Sequence, residues 1–378
     1  MSFEVFITRI SKFLPNQAVS NDEMENILGK VNNNPSKARS IVLRNNGIKS
    51  RYYALNHQGV STHTNAGMTK TAIENLYGNG FGFSDIELLT CGTTSPDQLL
   101  PSHASMVHGK LGVKPIELTS FMGSCCSGIH ALKHAWISVL SGQTSNAVAT
   151  GSERFSHWML SSNFEEESHK LEQLKSNPYI AFEKEFLRWM LSDGASAVLL
   201  ENAPKGELAL KIEWIECISF AHELETCMYI GGEKQPDGDI KGWAEYLPTQ
   251  WLANSTFSMR QDAKLLANTI VPIGGRFLKK IIAKRNFDVK TINYFLPHLS
   301  SMFFKSKIQE ELQLLGLEIP EEKWFINLTT VGNVGSASIF LMLEELFHSG
   351  QLKKGEKILL MVPESARFNY AYVLLTVA

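Results

Sequence analysis

The sequence lacks the features that mark several large classes of protein. Its 378 residues carry a formal net charge of only −2. Nucleic acids and anionic membrane surfaces attract proteins with a basic excess, so we expect neither as a partner. No uninterrupted apolar run approaches the roughly 20 residues of a membrane-spanning helix. The N-terminus also lacks the basic start and long apolar core of a secretory signal. We therefore expect a cytoplasmic protein without a membrane span.

Cysteine is scarce and shows no pattern typical of a disulfide framework or a metal site. The five cysteines form no Cys-x-x-Cys pair and no Cys/His spacing typical of metal ligands, and their number is odd. These features favour a reduced, cytoplasmic setting and predict no metal. Low-complexity tracts are also lacking. Because 44% of the residues are hydrophobic, the chain can bury a large core.

Two of the cysteines nevertheless lie where a strand signal meets a helix signal. The apolar run Ile116 to Met122 predicts a buried strand, and after Ser124-Cys125-Cys126-Ser127-Gly128 apolar residues recur at helical spacing. A helix N-terminus offers unpaired N–H groups and a positive dipole end, which lower the pKa of a thiol. Two interpretations stay open at this point. The segment provides a nucleophilic thiolate, or it holds two small buried residues, as free cysteines usually are.

The second half of the chain repeats the order of the first. Its segments occur in this order: an apolar run ending in Pro297-His298, an apolar run from Phe325 to Leu328, a turn from Gly332 to Ser338, a helix, and a strand from Lys357. Three landmarks recur at a nearly constant offset: Cys126 to Asn333 at 207 residues, Gly142 to Gly350 at 208, and Cys91 to Phe295 at 204. An internal duplication explains this. Apolar strands alternating with helices predict mostly parallel sheets covered by helices.

We predict two halves, 1–203 and 204–378, with residues 155–190 as an insertion in the first half. A connection of that length usually serves as a lid or an interface. If the halves are equivalent, the turn with Cys126 faces the turn with Asn333, and His298 ends a strand close to both. A thiol, an imidazole and an amide would then converge on one pocket, which is the arrangement that thiolate chemistry needs.

Several short motifs occur along the chain in a fixed order: Gly47-Ile48-Lys49-Ser50-Arg51, Thr93-Thr94-Ser95-Pro96-Asp97, Cys126-Ser127-Gly128, Asp193-Gly194-Ala195, and Gly332-Asn333 followed by Ser336-Ala337-Ser338. In that order they resemble the β-ketoacyl-acyl-carrier-protein synthase III family of the thiolase superfamily, over essentially the full length. The resemblance implies an α/β fold, a five-layered αβαβα sandwich of two duplicated halves, and usually a homodimer. It also implies Cys126 as the acyl-accepting nucleophile, with His298 and Asn333 as partners and Cys125 as a buried neighbour.

The implied reaction is a Claisen-type condensation. The Cys126 thiolate attacks an acyl thioester, with its own backbone N–H in the oxyanion hole. His298 and Asn333 then stabilise the enolate of a second thioester, whose α-carbon attacks the acyl-enzyme. Coenzyme A or phosphopantetheine carries the substrates, and no metal or redox cofactor is expected.

Other residues are predicted to contact the substrate or its carrier. The family resemblance implies that Arg51 lies at the mouth through which pantetheine enters. Phe155, Ser300, Ser301 and Ser365 are further predicted substrate contacts. On the predicted helix Ile273 to Arg285, the basic residues Arg276, Lys280 and Lys284 share one face. That stripe either docks an acidic acyl carrier protein or a coenzyme A phosphate, or is simply a solvated helix face.

Three departures from the family pattern point to a specialised branch, and one of them is the length of the insertion 155–190. The usual His-Gln-Ala-Asn is replaced by His298-Leu299-Ser300-Ser301, and the glycine-rich C-terminal loop by Pro363 to Phe368. Within that loop, Glu364 or Arg367 contacts an oxygen-bearing substrate or forms a solvent-side ion pair.

The departures favour similarity to the ketosynthases of dialkylresorcinol pathways, which join a β-ketoacyl thioester to a second acyl thioester. Three alternatives remain: a synthase III that initiates fatty-acid synthesis, an acyltransferase acting on an alcohol or amine, and an inactive partner subunit.

Overall fold

The structure is a computed structural model that describes residues 4–36, 39–112, 114–163, 186–254 and 256–378. In chain order its α-helices are α1 Met24–Leu28, α2 Arg39–Asn46, α3 Asn65–Glu74, α4 His103–Leu111, α5 Ser127–Ser141, α6 Pro248–Ala253, α7 Ala263–Arg285, α8 Phe303–Leu314, α9 Leu328–Val331 and α10 Ser338–Phe347. No helix within the described ranges has the length and apolar character needed to cross a bilayer.

The strands are β1 Phe6–Phe13, β2 Val19–Ser20, β3 Ser50–Arg51, β4 Leu88–Thr93, β5 Glu117–Met122, β6 Asn146–Glu153, β7 Gly194–Glu201, β8 Leu210–Ser219, β9 Met228–Tyr229, β10 Gly232–Lys234, β11 Ile240–Gly242, β12 Arg260–Gln261, β13 Tyr294–Pro297, β14 Lys357–Glu364 and β15 Asn369–Val377. Nine of them form one sheet in the order β13-β14-β15-β8-β1-β7-β6-β4-β5.

The sheet consists of two series with the same pattern. The series β1-β7-β6-β4 has two antiparallel pairings followed by a parallel one, and so has the series β8-β15-β14-β13. The series meet at a short pairing of β1 with β8, from Phe6 to Lys211 and Ile7 to Leu210. The repeated order agrees with an internal duplication, although the exact boundary between residues 203 and 204 stays a prediction.

Three details differ from the sequence-based expectation. The strand β5 forms as predicted, but none of its six residues is buried, so the expectation of a buried strand from Ile116 to Met122 is wrong. The sheet is mixed rather than mostly parallel, because only β4–β5, β4–β6 and β13–β14 are parallel pairs among its described strands. Helices cover the inner strands of the sheet on both faces, so those strands are apolar whatever their direction, and composition does not report direction. The run Phe325 to Leu328 forms no strand. A single parallel bridge between Phe295 and Trp324 stands at that place, and α9 begins at Leu328.

Three buried clusters separate the molecule into five layers. One cluster packs α3 and α4 against β4 and β7. The central cluster encloses α5 and α10 between strands of both series. The third packs α7 and α8 against β14 and β15. The predicted αβαβα sandwich is therefore confirmed, and its two central helices bring their N-termini to the middle of the molecule.

Candidate active site

The turns that begin α5 and α10 are in close contact. A Cβ on Gly128 would overlap the carbonyl oxygen of Ser336, and so would a Cβ on Gly151 of β6. The Ser336 hydroxyl lies 3.2 Å from the carbonyl oxygens of Gly92 and Ser152 and accepts the Ser152 N–H at 3.1 Å. The second-half turn is therefore anchored on strands of the first half, and the two turns face each other as the duplication predicts.

A cavity lies beside this contact and contains about 640 Å³ of empty space, part of it open to solvent. Its reactive and polar lining includes Cys125, His298, Ser300 and Asn333. Most of the lining is apolar: Phe155, Met190, Leu191, Met228, Met259, Leu266, Ile270, Val271, Leu299, Phe304 and Ile308. No Lys, Arg, Asp or Glu from the described part of the chain lines it. The cavity suits an uncharged group with an aliphatic chain.

His298 reaches the cavity from the end of β13. Its N–H donates to the carbonyl oxygen of Met361 at 2.8 Å, which fixes the backbone next to β14. The Nε2 atom is buried and has no hydrogen-bond partner within the described ranges. Burial lowers the pKa of His298 to about 4, so the imidazole is neutral at pH 7. A neutral imidazole in a cavity can take up a proton and give it back.

Asn333 holds its amide in a fixed orientation. Its Oδ1 accepts the N–H of Gly335 at 2.9 Å and the hydroxyl of Ser338 at 3.4 Å. The Nδ2 atom is therefore the donor that the side chain can offer to the cavity it lines. A fixed N–H donor is suited to stabilising a negative oxygen that develops during a reaction.

The two cysteines lie in different surroundings. Cys125 is 8% exposed, so it is buried as expected, yet it lines the cavity. Cys126 is fully buried, and its thiol donates to the carbonyl oxygen of Val362 at 3.3 Å instead of contacting the cavity. The structure thus brings Cys125, His298 and Asn333 to one lining and places the Cys126 sulfur behind it.

Glu364 changes the expected electrostatics at the start of α5. Its Oε2 accepts the N–H of Cys126 at 3.0 Å. The expectation that this N–H is open to an oxyanion is therefore wrong in this structure. Burial, and then the charge of Glu364, raise the pKa of Cys126 well above its usual range and that of Cys125 to about 12. Desolvation outweighs the predicted effect of the helix N-terminus, so both groups are thiols here.

The remaining residues of the C-terminal loop divide between the cavity and solvent. Pro363 and Ser365 line the cavity, and the Ser365 hydroxyl accepts a hydrogen bond from Gln261 at 3.0 Å. Arg367 forms an exposed ion pair with Asp239 at 3.0 Å. The solvent-side alternative is thus the one that applies to Arg367.

Two of the other predicted substrate contacts line the cavity and two do not. Ser300 and Phe155 line it. The Ser301 hydroxyl donates instead to the carbonyl oxygen of Asn45 at 3.1 Å. Arg51 does not lie at a mouth, because its guanidinium is fully buried and donates to Asn21 at 2.6 Å and to the carbonyl oxygen of Trp189 at 3.1 Å. These two corrections have one cause. Arg51 is the last residue of β3 and Ser301 lies in the loop after β13, and both side chains turn inward, where each donates to a backbone carbonyl oxygen.

The basic stripe on α7 is exposed as predicted, opposite the buried Ile273 and Phe277. Arg276 lies 3.2 Å from Glu223, and Lys284 lies 2.9 Å from Glu216. Two of the three cations are therefore partly neutralised, which agrees with the solvated-face alternative.

Part of the predicted insertion 155–190 lies outside the described residues, including Phe164, Tyr179 and Phe182. Its described ends contribute Phe155 and Met190 to the cavity. The role of the insertion as a lid or an interface stays a prediction.

Sequence reasoning missed Glu153 and most of the apolar lining. Glu153 ends β6, is fully buried, and accepts hydrogen bonds from Thr94, Ser95 and Ser336. Burial raises its pKa to about 7. The sequence signal that could have indicated Glu153 was a charged residue at the end of the apolar strand β6. Met228, Met259 and Gln261 gave no such signal, because the short pairing of β9 with β12 brings them to the cavity.

Sequence comparison finds similar proteins over most of the chain. Residues 282–364 match the family model described as 3-oxoacyl-[acyl-carrier-protein] synthase III C terminal. A β-ketoacyl-[acyl-carrier-protein] synthase III of Sulfurovum is 23% identical over 353 residues, covering 93% of this chain and 89% of that protein. One from Clostridium perfringens is 26% identical over 327 residues, covering 83% and 84%. The chain is similar to the synthases III over most of its length. The resemblance inferred from the motifs is thereby confirmed.

Solved structures with the same fold include several condensing enzymes. A tetronic acid condensing enzyme superposes with a TM-score of 0.76 at 19% identity, covering 98% of this chain and 99% of that one. OleA of Xanthomonas campestris gives a TM-score of 0.74 at 19% identity, covering 100% and 99%. The synthase III of Pseudomonas aeruginosa gives 0.72 at 17% identity, covering 99% and 98%. At these identities the likeness establishes the thiolase-like fold.

Proposed function

We propose that this synthase III relative is an acyl-transferring condensing enzyme that forms a C–C bond between two thioesters. One observation supports this most directly. The buried Nε2 of His298 and the amide of Asn333 face one apolar cavity at the start of α5, where the cysteines lie. A base, a fixed N–H donor and a thiol around an uncharged cavity are the groups that enolate chemistry on a thioester requires.

In the proposed first step the enzyme is acylated. The Cys126 sulfur bonds to the carbonyl carbon of an acyl thioester, the carrier's C–S bond breaks, and the thiol proton leaves with the carrier thiolate. The acyl chain then occupies the apolar part of the cavity formed by Met228, Met259, Ile270 and Phe304. Because the Cys126 thiol rests on the carbonyl of Val362, this step requires its side chain to rotate toward the cavity, a motion of picoseconds to nanoseconds where space allows.

In the second step a C–C bond forms. His298 Nε2 takes a proton from the α-carbon of a second thioester. The imidazolium N–H keeps this proton and donates a hydrogen bond to the enolate oxygen, beside Asn333 Nδ2, until the proton passes to the released thiolate. The α-carbon then bonds to the acyl carbonyl carbon, the C–S bond to the enzyme breaks, and the released thiolate recovers the proton. No metal or redox cofactor is needed, since no electrons are exchanged with a third group.

Cys125 is the alternative acyl acceptor, because its side chain lines the cavity. We favour Cys126 because the Cys-Ser-Gly motif places the sulfur two residues before Gly128, the residue in close contact with Ser336. That contact fixes the start of α5 relative to Asn333. Cys126 is the N-cap residue of α5, whereas Cys125 lies one position further from the helix.

The proposal extends to the donor substrate, the acyl carrier and the cellular setting. The replaced C-terminal loop supports a β-ketoacyl thioester as donor, as in dialkylresorcinol synthesis, over a synthase III that initiates fatty-acid synthesis. The fixed amide of Asn333 supports condensation over simple acyl transfer, which needs a base but no enolate donor. The acyl groups would arrive on coenzyme A or an acyl carrier protein. Of the stripe Arg276, Lys280 and Lys284, the ion pairs of Arg276 and Lys284 favour a solvated face over a docking site. The odd number of cysteines and the lack of a Cys-x-x-Cys pair support a cytoplasmic setting.

A homodimer is also proposed, and the edge strand β5 supports it. This strand ends the sheet order, and Met122 on it is 73% exposed. An unpaired, partly apolar edge invites pairing with a second strand. Analytical ultracentrifugation should show a dimer that Met122→Asp weakens, and a monomeric wild type would contradict the proposal.

The function is tested by product formation. Purified protein is incubated with an acyl thioester, a β-ketoacyl thioester or both, and products are identified by mass spectrometry. We expect a new C–C-bonded product only when both are present, and none with Cys126→Ala. Transfer of the acyl group to an alcohol or amine, or no reaction at all, would instead support the acyltransferase or the inactive subunit.

A further inference from the structure

Glu364 is a buried acid at the last position of β14, where the family resemblance leads one to expect glycine. Its side chain is 3% exposed. One carboxylate oxygen accepts the N–H of Cys126 at 3.0 Å, and the other accepts the side-chain amide of Asn369 at 2.5 Å. Two neutral N–H donors and the N-terminus of α5 therefore hold the carboxylate in place.

The alternation of the chain puts this charge directly behind the cavity wall. Pro363 and Ser365 line the cavity, whereas Glu364 between them turns toward α5. The cavity-lining Cys125 senses the carboxylate, since the charge of Glu364 contributes to raising its pKa. A negative charge in the same region of the cavity would be repelled through a protein interior of low dielectric constant.

Among the described lining residues, no positively charged side chain offsets that repulsion, although Asn333 offers a neutral N–H donor. No lysine or arginine from the described ranges lines it. Its one imidazole, His298, is neutral at pH 7 because burial lowers its pKa to about 4. The N–H at the start of α5, which would otherwise attract an anion, is already bonded to Glu364.

We infer that Glu364 determines which donor thioester the enzyme accepts: it disfavours an anionic malonyl donor and leaves a neutral β-ketoacyl donor. This inference rests on the proposed condensation. A malonyl thioester must bring a carboxylate into the uncharged cavity before it loses CO₂. A β-ketoacyl thioester brings none, because its carbanion arises when the α-carbon C–H bond breaks and the proton goes to His298 Nε2. The step balances without an additional reactant.

The test measures donor choice on the loaded enzyme. Wild-type protein is acylated, freed of excess thioester, and given equal concentrations of malonyl and β-ketoacyl coenzyme A thioesters. Products are counted by mass spectrometry, and acyl loading is measured by intact mass in the same samples. Glu364→Gln removes the charge but keeps an oxygen for the Cys126 N–H, and Glu364→Asp is the charge-retaining control.

We expect wild type to favour the β-ketoacyl donor over the malonyl donor by at least about 50-fold, since the repulsion between two like charges in a protein interior is large enough for such a ratio. Glu364→Gln should lower this ratio at least about tenfold because the charge is gone. Glu364→Asp should change it by less than about threefold because the charge remains. An unchanged ratio in loaded Glu364→Gln would overturn the inference. If that variant does not fold, Asn369→Ala, which frees one carboxylate oxygen, should shift the ratio at least about twofold, and no shift would overturn the inference.

Failure of the inference and failure of the proposed function give different results. A wild type that loads acyl groups and uses both donors equally loses only the selection by Glu364. A wild type that gains no acyl mass from any thioester contradicts the condensing function, and the inference with it.

Discussion

The two turns that meet at the centre are held in different ways. The turn from Asn333 to Ser338 is braced from within, because Asn333 Oδ1 accepts the Gly335 N–H and the Ser338 hydroxyl accepts the Val334 N–H at 2.9 Å. The turn from Ser124 to Ser127 has a bond from the Ser127 hydroxyl to the carbonyl oxygen of Ser124 at 2.7 Å and a longer contact between the Ser124 hydroxyl and the Cys125 sulfur at 3.7 Å. The hydrogen-bond acceptor of its Cys126 N–H is Glu364, which is 238 residues away in the sequence.

This difference separates a fixed part of the site from an adjustable one. The second turn orients the Asn333 side chain through its own Gly335 and Ser338, while Ser336 anchors the same turn on strands of the first half. The first turn takes its electrostatic environment from a distant strand end. A single substitution at the end of β14 can therefore alter the thiols and the cavity without altering the fold of the first half.

The largest effect is expected from removing the donor of the second turn. Asn333→Asp keeps an oxygen for the Gly335 N–H and Ser338 hydroxyl but loses Nδ2. Condensation should fall by about 10²–10³-fold, as for removal of one oxyanion donor. Acyl loading, measured by intact mass, should change by less than about threefold because it does not use the enolate donor. An equal loss of both activities would contradict the assigned role.

The next effect tests the close contact of the turns. Gly128→Ala would push a methyl group into the Ser336 carbonyl and toward the Phe340 ring, so urea unfolding should show a loss of about 3 kcal/mol from overpacking. Gly109→Ala on α4 is the control, since it meets open space and should gain up to about 1 kcal/mol from helix propensity. Equal stability of the two variants would argue against the contact.

Glu153 links the first-half loop Thr94–Ser95 to Ser336, and its titration gives a pH-dependent prediction. Its pKa rises from 4.5 to about 7 on burial, so the folded chain binds a proton that the unfolded chain releases between these values. The resulting stability is complete below pH 4.5 and is lost as pH rises through 7. Relative to Glu153→Gln, wild type should lose about 2 kcal/mol between pH 5 and 8. A pH-independent difference in unfolding free energy would contradict this.

The smallest effect compares matched serines of the two turns. Ser338→Ala leaves the buried Val334 N–H without its acceptor and should cost about 1–2 kcal/mol in unfolding free energy. Ser127→Ala removes only a donor to a carbonyl and should cost about half as much. Equal costs, measured by urea unfolding, would mean that the second turn is not braced as described.

The sequence carried enough information for the fold and for the position of His298 and Asn333, because strand-turn-helix order and a constant offset both survive in the residues. It could not assign the two thiols to the cavity or the core. Adjacent residues point in different directions, and their rotamers depend on the packing of Val362 and Glu364 from the other half. Arg51 was misplaced for a similar reason, since a motif gives position along the chain but not whether a side chain turns inward.

The proposed mechanism requires that Cys126 carries the acyl group. The most direct measurement is peptide mapping of the acylated protein by tandem mass spectrometry after incubation with an acyl thioester, on wild type, Cys125→Ala and Cys126→Ala. We expect acyl mass on Cys126 in wild type, the same adduct in Cys125→Ala, and none in Cys126→Ala. An adduct on Cys125 that persists in Cys126→Ala would contradict it and would assign the nucleophile to the cysteine that lines the cavity.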